Sequence, residues 1–181
     1  MAIHLDPVVA HATASALASV FLLAGAAKLR DPDTFRATVE EYRLLPAAAA
    51  AALAWVLPVA ECLAGILLFL ADTRTAGALL TMLLLALVTG AIGINLMRGR
   101  RRLDCGCGWG TEVPIGPGIV VRNLVLAAAA LLLLVPVADR PTVWLDVLGA
   151  VFLAFFLIGM HALATSLIAH HARLLSLRNL P

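Results

Sequence analysis

The feature that most constrains this chain is the arrival of its apolar residues in blocks of about 20 or more. That is the length an α-helix needs to cross a ~30 Å hydrocarbon layer at about 1.5 Å per residue. Five such blocks are read, at about 7–27, 49–70, 76–97, 119–138 and 143–169. Of the 181 residues only 13% are charged and 62% are hydrophobic, whereas a soluble domain needs about a quarter of its residues charged to cover its surface. A soluble globule is excluded. Lipid leaves an isolated segment no way to satisfy its backbone other than helix, so the predicted fold is all-α, a polytopic transmembrane helical bundle of about five spans. The first block far exceeds a secretory h-region and has no basic n-region before it, so it is expected to be a permanent span.

The formal net charge is +2, and no basic stripe interleaved with aromatics is present, so nucleic-acid binding has no basis. The Lys and Arg residues read instead as topology determinants, since cations near span ends are retained in the cytoplasm. Residues 71–75 and 139–142 form tight connections, while 28–46 and 98–118 are long, and alternation puts both long loops on one face. That face carries Lys28, Arg30, Arg36, Arg43, Arg98, Arg100, Arg101, Arg102, Arg122, Arg173 and Arg178; the other has only Arg74 and Arg140. The predicted N-terminus is therefore outside, with the C-terminus and both long loops inside.

The first long loop carries its own helix signal. Asp31 is an N-cap candidate, Pro32 suits the first helical position, and Phe35, Val39 and Tyr42 recur at helical spacing. Asp33, Arg36, Glu40 and Arg43 fall on the opposite side. This predicts a short interfacial amphipathic helix between spans one and two, closed by Pro46; a plain linker helix reads equally well. No internal repeat is visible, and a single integral membrane domain over 1–181 is the simplest division.

The second long loop contains Arg100-Arg101-Arg102-Leu103-Asp104-Cys105-Gly106-Cys107-Gly108-Trp109-Gly110. Two cysteines one glycine apart lie within disulfide reach, since alternate α-carbons approach to ~6 Å. A small strained ring of this kind is easily reduced, and such disulfides tend to be the labile, catalytic ones. The glycines permit the unusual dihedrals. Arg101 and Arg102 would favour a thiolate, and Asp104 opposes them. Two alternatives stay open: a structural pair without turnover, and metal binding together with His170 and His171. The metal fit is poor, because adjacent histidines diverge and zinc sites usually separate their cysteines by two residues.

Within the spans, Glu61 stands out, because a carboxylate at that depth must be paired, protonated or hydrated. Lys28 or Arg122 would partner it, or it would relay protons. Cys62 beside it packs as a small hydrophobe or acts as a resolving thiol, the latter only if the loop folds inward. His161, Asn95 and Asn123 read as interhelical hydrogen bonders. Trp109 reads as a headgroup-level anchor or as a surface for stacking a quinone ring.

Several runs together resemble a known family. Phe21-Leu22-Leu23-Ala24-Gly25-Ala26-Ala27-Lys28-Leu29-Arg30-Asp31-Pro32, Tyr42-Arg43-Leu44-Leu45-Pro46, Leu57-Pro58-Val59-Ala60-Glu61, and Arg98-Gly99-Arg100 leading to Cys105-Gly106-Cys107-Gly108 look like the MauE (methylamine utilisation) family, related to DoxX-type membrane proteins. The resemblance covers roughly residues 15–125, and span five contributes little. It implies a bundle core over about 7–138 with an additional C-terminal span over about 143–169. It also implies a redox-type membrane protein associated with thioredoxin-like partners and with disulfide formation in an exported client, the methylamine dehydrogenase small subunit in the founding case. The family's cysteine pair maps onto Cys105 and Cys107 and its membrane acid onto Glu61. Trp109 departs from the family, which often has phenylalanine there.

The expected function is that of a membrane thiol:disulfide oxidoreductase in the bacterial plasma (inner) membrane. Cys105, Cys107 and Glu61 would be catalytic, with Arg101, Arg102, Arg122, Lys28, Cys62 and Trp109 in support. Expected partners are membrane lipid and a thioredoxin-like protein or redox-enzyme client, with a quinone as possible reoxidant. The alternatives are a non-catalytic membrane subunit or assembly factor of a redox complex, or a small metal or solute carrier. The basic-residue count puts the cysteine loop inside, whereas an exported client would meet it outside; both hold if electrons cross the bilayer through a second thiol or a quinone.

Overall fold

The computed structural model describes residues 4–100, 103–106 and 113–178, with the side chains of 172, 173 and 175–178 outside the description. Helices α1 (Pro7–Arg30), α2 (Pro32–Glu41), α3 (Ala47–Phe69), α4 (Arg74–Met97), α5 (Pro117–Leu132) and α6 (Trp144–Arg178) follow one another, with a 3₁₀ turn at Ala71–Thr73. Over the described residues the fold is all-α, with isolated bridges but no strand. Four segments, Pro7–Arg30, Ala47–Phe69, Ala71–Met97 and Trp144–His171, are long and apolar enough to cross a membrane. This is a multi-pass membrane protein.

The other apolar helix, α5, has 16 residues, about 24 Å at the helical rise, and falls short of a full crossing. The block at 119–138 predicts an end six residues later. Pro136 is the physical reason: it has no N–H to donate and disfavours helix in the residue before it. The chain tightens into i→i−3 bonds at Leu133, Leu134 and Val135 and then runs extended. Pro136 O accepts from Leu5 N and Ala138 N donates to Leu5 O, each at 2.8 Å, which ties this end of α5 to the N-terminal segment.

Helix α1 is the central post, packed by α3, α5 and α6, while α4 joins α3 to α5. Its contact with α3 is close because of small residues. A Cβ built on Gly25 would lie 2.6 Å from Cys62 Sγ and 2.7 Å from the Pro58 carbonyl, and one on Gly65 would lie 2.6 Å from Leu22 Cγ. In contrast, α6 leaves Phe152, Phe155, Phe156 and Leu163 exposed, as a lipid-facing helix does.

The amphipathic helix forms as its sequence predicts. The Asp31 carboxylate accepts from Thr34 N at 3.1 Å, and Pro32 occupies the first turn. Phe35 and Tyr42 are buried and Val39 packs inward, while Arg36 and Glu40 pair on the exposed side at 2.8 Å. The helix ends at Glu41, before Pro46, and packs on α3.

Candidate functional site

At the end of α4 the chain turns through a Schellman cap. Gly99 takes φ +74, Gly99 N donates to Leu96 O, and Arg100 N donates to Asn95 O. Arg100 is then fixed by donating to Asn95 Oδ1 at 3.1 Å and to the Tyr42 carbonyl at 3.3 Å. Arg98 donates to the Arg43 carbonyl at 3.4 Å. The two long loops therefore meet at one end of the bundle, as alternation predicts.

Beyond Arg100 the described part of the loop forms a narrow antiparallel pairing. Cys105 N donates to Val113 O at 2.8 Å and Ile115 N to Leu103 O at 2.9 Å. The Asp104 carboxylate accepts from Val113 N at 2.8 Å, so this acid is engaged in holding the loop. Leu103, Cys105, Val113 and Ile115 pack with Tyr42, Ile92 and Ile119 in one buried cluster. The loop folds inward and caps the bundle. Burial, then the Asp104 and Glu41 carboxylates, push the Tyr42 phenol well above its ordinary value and keep it protonated.

Cys105 is buried and disulfide-bonded, whereas Cys62 is a free thiol. Cys107, Trp109, Arg101 and Arg102 lie outside the described residues. Gly106 takes φ +66, a conformation that favours glycine, and a Cβ there would also lie 3.1 Å from Phe35 Cε2. Phe35 has the Lys28 ammonium 5.4 Å from its ring centroid. The Phe35 ring thus lies near both the cysteine turn and Lys28.

That centre is built from α1, α3, α5 and α6. Lys28 Nζ donates to both Glu61 oxygens, at 2.7 and 2.6 Å, and each side chain is 9% exposed. Of the two partners expected for Glu61, Lys28 is the one that pairs with it. Arg122, also buried, donates to Asn123 Oδ1 at 3.0 Å and to Thr165 Oγ1 at 3.4 Å. Its Nη2 also points at Cys105 Sγ from 4.0 Å. Asn123 in turn donates to Thr89 Oγ1 at 3.0 Å, the interhelical bond expected of it; Asn95 instead bonds its own helix and Arg100. Lys28, Glu61, Arg122, Asn123 and His161 line one internal cavity of about 50 Å³. Such a polar space is roomy enough to hold water.

The sequence reading missed the approach of Arg122 to Cys105, because Arg122 stands in the first turns of an apolar block and reads as a charge at a span end. The signal available was its neighbour Asn123, which makes two consecutive polar residues inside an apolar helix. Among the described residues, no group of three or more His, Cys, Asp and Glu is placed to hold a metal ion.

The fold and this centre define a class: a multi-pass helical membrane protein with a cysteine-bearing loop seated over buried charges. The chain belongs to the MauE family. The family described as methylamine utilisation protein MauE matches residues 6–136, so α6 lies beyond the match. The chain is 37% identical to the methylamine utilization protein MauE of Paracoccus denitrificans over 128 residues, 70% of this chain and 69% of that protein. It is 39% identical to that of Methylorubrum extorquens over 143 residues, 76% of each. No solved structure matches it.

Proposed function

We propose that this chain serves methylamine utilisation as a membrane thiol:disulfide oxidoreductase, with the Cys105 and Cys107 disulfide as its working group. The observation that carries this reading is a disulfide-bonded Cys105 in a glycine-flanked turn, faced by the buried Arg122, which lines one cavity with the buried Lys28–Glu61 pair. Disulfides that merely staple have no need of intramembrane ionisable groups beside them, and such groups mark function by default.

A thiolate of a thioredoxin-like partner or redox-enzyme client attacks the disulfide, the Cys105–Cys107 bond breaks, and a mixed disulfide forms. The partner's second thiol then resolves it. The partner leaves oxidised by two electrons and the cysteine pair is left reduced. Return to the disulfide requires an acceptor of two electrons, a quinone by chemical class. The Lys28–Glu61 pair and the waters its cavity admits handle the protons. With most basic residues at the loop end, the reading places that end in the cytoplasm of a bacterial cell, so electrons taken from an exported client cross the bilayer before they reach the cysteine pair.

The test is direct. Purified protein in lipid nanodiscs should oxidise one equivalent of a reduced thioredoxin-type dithiol protein, and Cys105→Ser or Cys107→Ser should abolish this. Cells carrying both substitutions should lose growth on methylamine. Normal growth with both cysteines replaced refutes the proposal.

A further inference from the structure

We infer that Arg122 is the built-in counter-ion of Cys105, which makes Cys105 the leaving thiolate of the exchange and Cys107 the sulfur that the partner attacks. This rests on the functional reading above and deepens it. The argument begins with charge balance in the centre of the bundle. Lys28 and Glu61 neutralise one another. The described ion pairs are Lys28–Glu61, Arg36–Glu40, Arg140–Asp6 and Arg140–Asp146, so none of them includes Arg122. Its guanidinium meets the neutral oxygens of Asn123 and Thr165 and the sulfur of Cys105. A buried guanidinium held by neutral groups is costly unless an anion meets it. Reduction of the disulfide creates that anion at the atom Arg122 already faces.

The step balances as follows. The partner thiolate forms a bond to Cys107 Sγ, the Cys105–Cys107 bond breaks, and its electron pair moves to Cys105 Sγ, which remains as a thiolate beside Arg122. The partner's second thiol gives up its proton and displaces Cys107, which takes a proton to become a thiol. Near neutral pH the reduced pair thus holds two electrons and one added proton. A lower leaving-group pKa speeds exchange, so Arg122 acts on the rate and fixes which sulfur is attacked. The burial of Cys105 agrees, since a partner needs access to the sulfur it attacks.

The test uses the full chain in nanodiscs, with Cys62→Ala and Cys107→Ser leaving Cys105 as the single thiol. The pH profile of its alkylation by iodoacetamide is followed by mass spectrometry. The expected midpoint lies below the free-thiol value of about 8.5. Arg122→Gln should raise it by about one unit or more, roughly a tenfold loss of alkylation rate near neutral pH, while Arg122→Lys should keep it low. A midpoint at or above the free-thiol value with Arg122 intact overturns the inference, as does a profile that Arg122→Gln leaves unmoved. Should Arg122→Gln fail to fold, the midpoint with Arg122 intact and that of Arg122→Lys decide. Absence of exchange between the wild-type disulfide and a thioredoxin-type dithiol would sink the functional reading instead, a separate result from the Cys105 profile.

Discussion

Removing one partner of the Lys28–Glu61 pair is the sharpest perturbation of this bundle. Both Glu61 oxygens accept from a single ammonium at 2.7 and 2.6 Å, and both side chains are nine-tenths buried. Lys28→Met leaves a buried carboxylate at a cavity also lined by Phe21, Leu84 and Leu85, and Glu61→Leu leaves a buried ammonium beside the Phe35 ring. Breaking a buried pair in this way costs about 3–5 kcal/mol, whereas replacing both partners by apolar groups of similar volume is often neutral or stabilising. Each single variant should therefore shift the unfolding equilibrium by roughly two to three and a half orders of magnitude, and the double variant Lys28→Met/Glu61→Leu should recover most of that loss. Equilibrium unfolding in mixed detergent micelles, titrated with sodium dodecyl sulfate, measures all four corners of the cycle. Single losses under about 1 kcal/mol, or a double variant that simply adds them, would show that the pair is solvated and would refute the reasoning.

Three further outcomes are expected. Gly25→Ala should destabilise the protein by about 1–3 kcal/mol through overpacking, and adding Cys62→Ala should not rescue it, because the new Cβ also meets the Pro58 carbonyl at 2.7 Å; the same detergent titration checks both. Cys62→Ala alone should leave dithiol oxidation at the wild-type rate, since Cys62 is a free thiol against α1 and Cys105 is bonded elsewhere; a loss measured in the thioredoxin assay would reinstate it as a resolving thiol. Hydrogen bonds from Thr34 hold the Asp31 carboxyl below its ordinary value, so its stabilisation of α2 is present above the ordinary carboxylate range and lost as pH falls through the lowered value. Hydrogen exchange of the α2 amides should accelerate at that acid limit, and Asp31→Ala should show the faster exchange at every pH.

Hydropathy made most of the helices legible because lipid allows a long apolar segment little else. The blocks at 7–27, 49–70, 76–97 and 143–169 each overlie a helix long enough to span. The same signal misplaced the end of α5, since hydropathy takes no account of backbone hydrogen bonding and Pro136 is apolar. Local chemistry was equally readable where it acts over a few residues, as in the Asp31-Pro32 start of α2. What did not follow was which distant charge meets which. Lys28 and Arg122 were equivalent candidates for Glu61, and the choice depends on the α1–α3 approach that Gly25 permits. The pairing of Arg122 with Cys105 depends on the loop folding over the bundle, which is a property of Leu103, Val113 and Ile115 packing on Ile92 and Ile119 rather than of the cysteine motif.

This outcome alters how the basic residues of the chain should be weighed. Eleven of the thirteen belong to the loop end by sequence, but Lys28 and Arg122 are buried in the bundle and held by Glu61, Asn123 and Thr165. Removing these two from the topology count leaves nine against Arg74 and Arg140 at the opposite end. Each of those two is engaged, Arg140 with Asp6 and Asp146 and Arg74 with His11 at 3.0 Å. The retention rule counts cations near span ends rather than net charge, so the proposed orientation survives the correction. Thiol labelling of reduced intact cells with a membrane-impermeant maleimide should therefore spare Cys107 until the membrane is opened. Labelling from outside alone would reverse the orientation while leaving the arrangement of Arg122 and Cys105 as it is.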